Sequence, residues 1–393
     1  MISHEEAIEL IINSANQKNR IEKISIFDSL NRILAIDVSS DINMPPFDKS
    51  AMDGYACRFE DKNQPLTVLE VIPAGAIPTK KINKNECSKI MTGAIIPDGA
   101  DYVIKVEDTR ELSSNVIQSN VSSPARNICY IGEDIKINTL LLKAGTKLKP
   151  QHIAVLASAG KFEIEVIAKT TVGIISTGNE LVEPNENLTR GKIRNSNAYQ
   201  LYAQSANANA IPSYYGIALD EEKSLSQIIS KAASENQIII LSGGVSMGDF
   251  DFVPKVLTDL NFEILFKSIA VQPGKPTVFA HNNNSFCFGL PGNPVSSFIQ
   301  FELLVAPLIK LLQGEKVDNL MVNGKLSTPY QRKNSSRKAW IPVVYDTEKQ
   351  VLQIQYNGSA HINAFVEANA IMEIPIGTLA INKGEQVNVR LLS

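Results

Sequence analysis

Two hydrophobic periodicities divide this chain. Between about residues 170 and 313, short apolar, β-branched runs alternate with segments of helical spacing, which predicts parallel strands covered by helices. The predicted strands are VGIIS, QIIIL, PTVFA and SFCFGL. Between the first two strands, the spacing from Leu225 to Ala232 predicts a helix, with Asp220 as its N-cap. This segment is therefore predicted to be a doubly wound parallel α/β domain.

The flanking regions have other patterns. Residues 46–139 combine Gly, Pro and Asp with short β-like runs, which predicts an inserted β-rich domain, and the runs after 318 predict a C-terminal β-barrel. The N-terminal amphipathic helix and the helix of LKPQHIAVLASAG are expected to pack together as a discontinuous linker. The predicted domains are a helical linker (1–45 and 140–169), a β-rich domain (46–139), an α/β domain (170–317) and a barrel (318–393).

Composition narrows the class of protein. A chain of 393 residues predicts two to four domains, and a net charge of −3 argues against a nucleic-acid or membrane-surface partner. Four cysteines, at positions 57, 87, 129 and 287, are too far apart to indicate a zinc site or a disulfide framework. The N-terminus has no export signal pattern, and the longest apolar run is broken by charged residues and proline. We expect a cytoplasmic, soluble enzyme or binding protein.

Three unusual loops directly follow predicted strands: TGNEL, SGGVSMGDFD and PGNPVSS. Ligands of open α/β sheets bind outside the carboxyl ends of the strands, so these loops should converge on one crevice. Gly243 and Gly244 would let a phosphate or a flat ring approach the main chain, with Ser246 as an added donor. The loops therefore predict a binding site.

The PGNP loop predicts a helix start. Asn293 can cap a helix with Pro294 in its first turn, leaving N–H groups free for an oxyanion; a capped helix without a ligand explains the motif equally well. Lys275, in QPGKP, would supply a positive charge to that oxyanion.

Carboxylates in the same region suggest a cation. Glu180, Asp220 and Asp251 fall near strand ends or helix starts, where their oxygens could hold Mg²⁺. Helix capping alone accounts for Asp220, and stabilisation of a helix dipole alone accounts for Asp251.

A further polar loop in the N-terminal half carries Asp53 before a glycine, followed by MTGAIIPDGAD with Thr92. A tight turn explains the Asp-Gly pair but not the whole string.

In this order, PPFDKSAMDGYA, MTGAIIPDGAD, GEDI, STGNEL, LSGGVSMGDFD, QPGKP and GLPGNPVSS closely resemble the molybdopterin molybdenumtransferases, the MoeA type related to the gephyrin E domain. The resemblance runs from about Pro45 to Ser297 and extends more loosely to both ends. It implies an enzyme of molybdenum cofactor biosynthesis that takes adenylylated molybdopterin and molybdate as substrates. With Mg²⁺, such an enzyme cleaves the phosphoanhydride, inserts molybdenum and releases AMP.

The resemblance also assigns roles to residues. Catalytic roles fall to Asp53, Thr92, Glu180 and Asp251, and metal binding falls to Glu180, Asp220 and Asp251. Family members form homodimers, and the loop with Asp53 and Thr92 is expected to complete the partner subunit's pocket. A molybdopterin adenylyltransferase and molybdoenzyme apoproteins are expected partners. The implied substrate-binding residues are Ser176, Thr177, Gly178, Asn195, Gly243, Gly244, Ser246, Lys275, Pro291, Gly292, Asn293, Pro294, Ser296, Arg337 and Ser359.

Some positions depart from the family pattern. The family often has lysines at the positions of Ser268 and Gln272, and often aspartate at Asn179, so the anion site of this chain is expected to differ. Two other functions stay open: the related molybdopterin adenylyltransferase, which the additional domains disfavour, and a non-catalytic scaffold, which would not require the carboxylates.

Overall fold

The computed structural model describes residues 1–15, 19–244, 252–316 and 321–392. The chain forms two compact units, one of residues 1–22 with 166–393 and one of residues 23–165. Helix α1 (His4–Ser14) begins the first unit with a capping box, in which Ser3 and Glu6 each accept a hydrogen bond from the other's backbone N–H.

The second unit is β-rich, as its sequence predicts. Its central sheet has the strand order β7-β4-β6-β5-β9-β8, and a helix, α2 (Pro150–Ser158), follows near its end. Pro150 occupies the first turn of α2, and Gly160 follows its C-cap with a φ of 71°. The strands from residue 21 onwards are β1 (Ile21–Ser25), β2 (Val38–Ser39), β3 (Lys49–Ser50), β4 (Gly54–Cys57), β5 (Leu66–Ile72), β6 (Glu86–Ile90), β7 (Tyr102–Lys105), β8 (Thr109–Ser113), β9 (Val116–Ser119), β10 (Ile128–Cys129), β11 (Leu140–Leu142) and β12 (Glu163–Ile167).

The α/β part of the first unit contains the next nine strands and five helices of the described chain. The strands are β13 (Thr171–Thr177), β14 (Leu181–Val182), β15 (Ile193–Arg194), β16 (Ile211–Ala218), β17 (Ile238–Ser242), β18 (Glu263–Phe266), β19 (Val271–Gln272), β20 (Val278–His281) and β21 (Phe286–Leu290). The helices are α3 (Asn197–Asn207), α4 (Glu222–Glu235), α5 (Val253–Asp259), α6 (Pro294–Gln300) and α7 (Ala306–Leu312).

The main sheet of this part has the order β16-β13-β17-β21-β20-β18. Strands β16, β13, β17 and β21 are parallel, and strand β17 alternates Ile238 and Ile240 towards one core with Ile239 and Leu241 towards the other. Helices cover both faces, because each face of a buried strand needs an apolar partner. The predicted doubly wound α/β fold is confirmed.

One predicted detail of this part is wrong. The run PTVFA is expected to be a parallel strand, but β20 pairs antiparallel with β21, because the short NNNS stretch between them permits a hairpin and no crossover helix. The predicted pairing of the N-terminal helix with the helix at 150–160 would join the two units, and it stays a prediction. Ala7 and Ile11 of α1 pack into the α/β core, where backbone hydrogen bonds of Ile2 with Ser268 and Ala270 hold the start of the chain.

The remaining strands form a C-terminal barrel. The pairings run β24-β25-β22-β28-β26, and a further β24–β26 pairing closes the ring, as the sequence predicts. Strand β19 adds to β24 in parallel. The strands are β22 (Met321–Leu326), β23 (Tyr330–Gln331), β24 (Lys338–Tyr345), β25 (Gln350–Gln353), β26 (Ala370–Ile374), β27 (Ala380–Ile381) and β28 (Gln386–Leu391).

The helical run Pro294–Leu312 has the length and mean hydropathy of a membrane span. A single turn of π-helix, Phe301–Val305, joins α6 to α7 within it. However, 83% of its apolar window is buried inside the protein. It therefore has the character of a core helix.

Candidate functional site

A cavity of about 620 Å³ lies in the α/β part of the first unit. It opens at the carboxyl ends of the parallel strands β13, β17 and β21, where the three predicted loops meet. The structure thus brings most of the predicted site residues together. Those that line the cavity are Thr177, Gly178, Glu180, Asn195, Asp220, Gly243, Gly244, Pro291, Gly292, Asn293 and Pro294.

The two glycines after β17 lie against Thr177 at the end of β13. Gly243 has a φ of 96°, and a Cβ there would lie 2.5 Å from the carbonyl oxygen of Thr177. A Cβ on Gly244 would lie 2.8 Å from the Thr177 hydroxyl. That hydroxyl is buried and has no hydrogen-bond partner within the described chain, so it has a free donor and acceptor beside the cavity. Glycine is required here both for the left-handed backbone and for the close approach.

Asn195 is buried beside the cavity and is fully oriented by its neighbours. Its Oδ1 accepts from the Ser176 hydroxyl at 3.0 Å and from the Ala198 N–H at 3.3 Å, while its Nδ2 donates to the Tyr214 hydroxyl at 2.8 Å. Tyr214 in turn donates to Glu183 Oε1 at 2.6 Å. Burial and the hydrogen bond to Glu183 raise the pKa of Tyr214 well above its ordinary value. Ser176 therefore acts behind the cavity, through Asn195.

Asn197 ties two of the loops together. Its Nδ2 donates to the Ser242 hydroxyl at 2.8 Å and to the Gly292 carbonyl at 2.8 Å. Ser242 ends β17 and Gly292 follows β21, so one amide fixes the spacing of the two strand ends. Asn197 is not among the predicted site residues, although the segment IRNSN contains both Asn195 and Asn197.

The carboxylates Glu180 and Asp220 both line the cavity. The N-cap role expected for Asp220 is wrong: α4 begins at Glu222 with Glu221 at the cap, because Asp220 turns to the loop after β13. Its Oδ2 accepts from the Asn179 N–H at 3.3 Å, and its own N–H donates to Asn179 Oδ1 at 3.4 Å. These hydrogen bonds hold Asp220 at the cavity, and its side chain does not cap a helix.

These oxygens suit a hard cation such as Mg²⁺, which needs one or two protein carboxylates plus ligand oxygens. Within the described residues, no group of three His, Cys, Asp or Glu side chains gathers into a ready metal cage. Asp251 and Ser246 lie outside the described residues, so their predicted roles stay predictions.

The PGNP loop starts α6 with Asn293 at the N-cap and Pro294 in the first turn, as predicted. The Asn293 side chain makes no capping bond; its Nδ2 donates to the Ser359 hydroxyl at 3.0 Å. The backbone N–H of Val295 donates to the Ser359 carbonyl at 3.0 Å. One N–H donor of this helix start is therefore occupied within the protein, and oxyanion binding by the others stays a prediction. Ser359 does not line the cavity itself, although its neighbour Ala360 does.

Besides Ser176 and Ser359, three predicted substrate-binding residues do not line the cavity. Lys275 is exposed, although its neighbour Pro276 does line it. Ser296 is buried in α6. Arg337 donates through Nη1 to the Val271 carbonyl at 3.3 Å, at the junction of β19 and β24. Their binding roles stay predictions.

Asp53 and Thr92 belong to the second unit, where they contact each other. Asp53 Oδ1 accepts from the Thr92 N–H at 2.6 Å and from its hydroxyl at 2.8 Å. These two bonds, the backbone one first, lower the pKa of Asp53 below its ordinary value. The exposed Asp53 carboxylate is therefore held ionised and oriented, as a pair with Thr92.

Comparison with known proteins agrees with this arrangement. The chain matches the MoeA N-terminal region (domain I and II) over residues 2–160, a probable molybdopterin binding domain over 173–311, and the MoeA C-terminal region (domain IV) over 324–392. It is 35% identical over 403 aligned positions to the molybdopterin molybdenumtransferase of Bacillus subtilis, covering 99% of this chain and 93% of that protein. It is 34% identical to the protein of the same name from Staphylococcus epidermidis, covering 99% and 95% of the two chains.

Solved structures agree as well. The crystal structure of a molybdopterin biosynthesis MoeA protein from Pyrococcus horikoshii is 32% identical, with a TM-score of 0.86 over 100% of this chain and 99% of that one. A second structure from that organism has 29% identity, a TM-score of 0.81 and complete coverage of both chains. This chain belongs to the MoeA family of molybdopterin molybdenumtransferases.

Proposed function

We propose that this protein is a molybdopterin molybdenumtransferase of molybdenum cofactor biosynthesis. Its substrates are adenylylated molybdopterin and molybdate, and its products are the molybdenum-loaded cofactor and AMP. The observation that carries the proposal is the cavity itself: close-approach glycines, a free Thr177 hydroxyl and two carboxylates meet at the strand ends of a doubly wound sheet. Such a site suits a nucleotide that binds through its phosphate and brings a divalent cation.

The chemistry needs positioning and charge compensation, with no covalent nucleophile. Water supplies the oxygen that bonds to the adenylyl phosphorus, and one P–O bond of the phosphoanhydride breaks. That oxygen leaves with AMP, while molybdopterin keeps its own phosphate. Mg²⁺, held by Glu180 and Asp220 with Asp251 as the further predicted ligand, would neutralise the charge that develops on the phosphate oxygens. Asn195 and the glycine backbone then orient the substrate against those groups.

We further propose that the protein works in solution, in the cytoplasm, as a homodimer whose subunits share active sites. The Asp53–Thr92 pair supports this proposal, because a carboxylate held ionised by two hydrogen bonds on an exposed surface is prepared to meet a group outside its own unit. A molybdopterin adenylyltransferase would supply the adenylylated substrate, and molybdoenzyme apoproteins would accept the product.

The test is AMP release from adenylylated molybdopterin and Mg²⁺, measured with and without molybdate. Molybdate-dependent AMP release supports the transferase. Bound nucleotide without AMP release contradicts it and favours a scaffold. For the shared site, Asp53→Ala and Asp251→Ala should each lose most activity, and mixed subunits should regain part of it. No recovery on mixing, with dimers intact, contradicts sharing.

A further inference from the structure

The charged side chains that line the cavity must accommodate an anionic ligand. Its two carboxylates, Glu180 and Asp220, repel an anionic ligand, and the cation expected from the sequence, Lys275, does not line it. Among the described lining residues, Arg194 is the single Lys, Arg or His. This residue has no assigned role in the resemblance or in the sequence motifs.

We propose that Arg194 is the residue that binds the phosphate of the nucleotide substrate in this cavity; the inference rests on the proposed function. A guanidinium can donate two parallel hydrogen bonds to a phosphate, which gives both charge and orientation. Glu180 and Asp220, which would hold a cation, line the same cavity as Arg194, so the phosphate would receive positive charge from both the cation and the guanidinium.

The main chain of Arg194 is fixed on both sides. Arg194 ends β15, which pairs in parallel with β14, and the flanking N–H groups of Ile193 and Asn195 donate to the carbonyls of Glu180 and Val182, both at 2.9 Å. The next side chain, Asn195, is locked by Ser176 and Tyr214. The guanidinium thus extends from a rigid base, which reduces the entropy lost when a ligand binds.

The guanidinium is also left unpaired. Within the described chain, no hydrogen bond or ion pair engages Arg194, whose side chain is exposed at the cavity. The nearby acid Glu183 is occupied, because it accepts from Tyr214 at 2.6 Å and from Tyr199 at 2.9 Å. Two other cations belong to this segment: Lys192 donates to the Asn179 carbonyl, and Arg190 does not line the cavity. Arg194 is therefore the charge that remains for a ligand.

The experiment measures binding of AMP and of adenosine to the full chain with Mg²⁺ by isothermal titration calorimetry. Arg194→Met keeps the apolar stem and removes the charge; it should weaken AMP roughly ten- to hundredfold, as expected for losing charged hydrogen bonds. Adenosine affinity should not change. Arg194→Lys should be intermediate, since it restores the charge but not the paired donors.

Arg190→Met is the matched control, because Arg190 is an exposed arginine of the same loop that does not line the cavity. It should bind AMP like the wild type. Equal AMP affinity in wild type and Arg194→Met, equal loss of AMP and adenosine, or equal loss in Arg190→Met would each overturn the role of Arg194.

The same wild-type preparation is assayed for molybdate-dependent AMP release, which separates the two proposals. Activity in the wild type together with unchanged AMP binding in Arg194→Met removes Arg194 and keeps the transferase. A wild type that neither binds AMP nor releases it removes both. Activity with the predicted AMP loss supports both, and Arg194→Met should then show a raised KM.

Discussion

Asn197→Ala tests whether one buried amide holds the cavity together. The substitution removes two side-chain hydrogen bonds, to Ser242 and to Gly292, each 2.8 Å long. A net value of about 0.5–1.5 kcal/mol per bond gives an expected loss of about 1–3 kcal/mol in the free energy of unfolding. Because the two bonds join the ends of β17 and β21, AMP affinity should fall together with stability.

Asn197→Asp sharpens the test. A carboxylate has nearly the same size but cannot donate, so the Gly292 carbonyl faces a negative charge, and the expected loss is about 2–4 kcal/mol at neutral pH. The folded state then favours the protonated acid, which raises the folded-state pKa of the introduced aspartate. Its penalty should therefore be full above that folded-state pKa, shrink as pH falls below it, and vanish below the unfolded-state pKa.

Urea unfolding provides the measurement, and Gln200→Ala provides the control. Gln200 lies on the same helix and makes a local bond, from Nε2 to Gln204 Oε1 at 3.1 Å, whose loss should cost about 0.2–0.5 kcal/mol. If Asn197→Ala unfolds no more easily than Gln200→Ala, the amide does not hold the two strand ends and the reasoning fails.

Two further substitutions test other parts of the structure. Gly243→Ala should lower the free energy of unfolding by roughly 2–4 kcal/mol, since the new methyl meets the Thr177 carbonyl at 2.5 Å at a φ of 96°; thermal unfolding that matches the wild type would contradict the close approach. Thr92→Val should raise the lowered pKa of Asp53, because it removes the hydroxyl donor and keeps the backbone one. A lowered folded-state pKa adds stability above the unfolded-state pKa that is lost as pH falls, so the variant should lose less stability in acid. Carboxyl ¹³C titration measures this pKa, and an unchanged value would count against the hydroxyl bond.

The sequence predicts the α/β fold well because its strands are buried on both faces. A fully apolar run such as Ile238–Leu241 that is flanked by helical segments is typical of a buried parallel strand. The antiparallel direction of β20 was predicted wrongly, although the sequence contains a signal for it. The stretch NNNS between two apolar runs is typical of a turn, and in the structure Asn282 Oδ1 accepts from the N–H groups of Asn284 and Ser285. The position of the N-terminal helix was not readable, since periodicity shows which face is buried but not against what.

The site divides in the same way. Residues directly after strands, such as Thr177 and Gly243, reach the cavity because parallel strands end at one edge. Asp220 behaved differently from its local pattern, because its partner Asn179 is distant in sequence and competes with the cap role. Lys275 matches a motif but does not line the cavity, although its neighbour Pro276 does. The path of this loop decides which of the two side chains faces the cavity, and the motif does not specify that path. Of these cases, only Asp220 depends on a side-chain partner that is distant in sequence.

Two of the three charged side chains that line the described cavity come from a different segment than its strand-end donors; the third, Asp220, follows β16. The strand ends supply main-chain groups and hydroxyls, whereas Glu180 and Arg194 both come from the excursion between β13 and α3, joined by the short β14–β15 pairing. The glycines after β17 lie so close to Thr177 that a larger side chain would clash, so substitutions there should lower the stability of the fold. The excursion is restrained by main-chain pairing and by the Asn195–Tyr214–Glu183 contacts, which do not involve its charged lining side chains. Substitutions that change charge in this segment should therefore leave the fold intact. Substitutions at Glu180 and Arg194 should change the anion preference of the site far more than they change the stability of the protein.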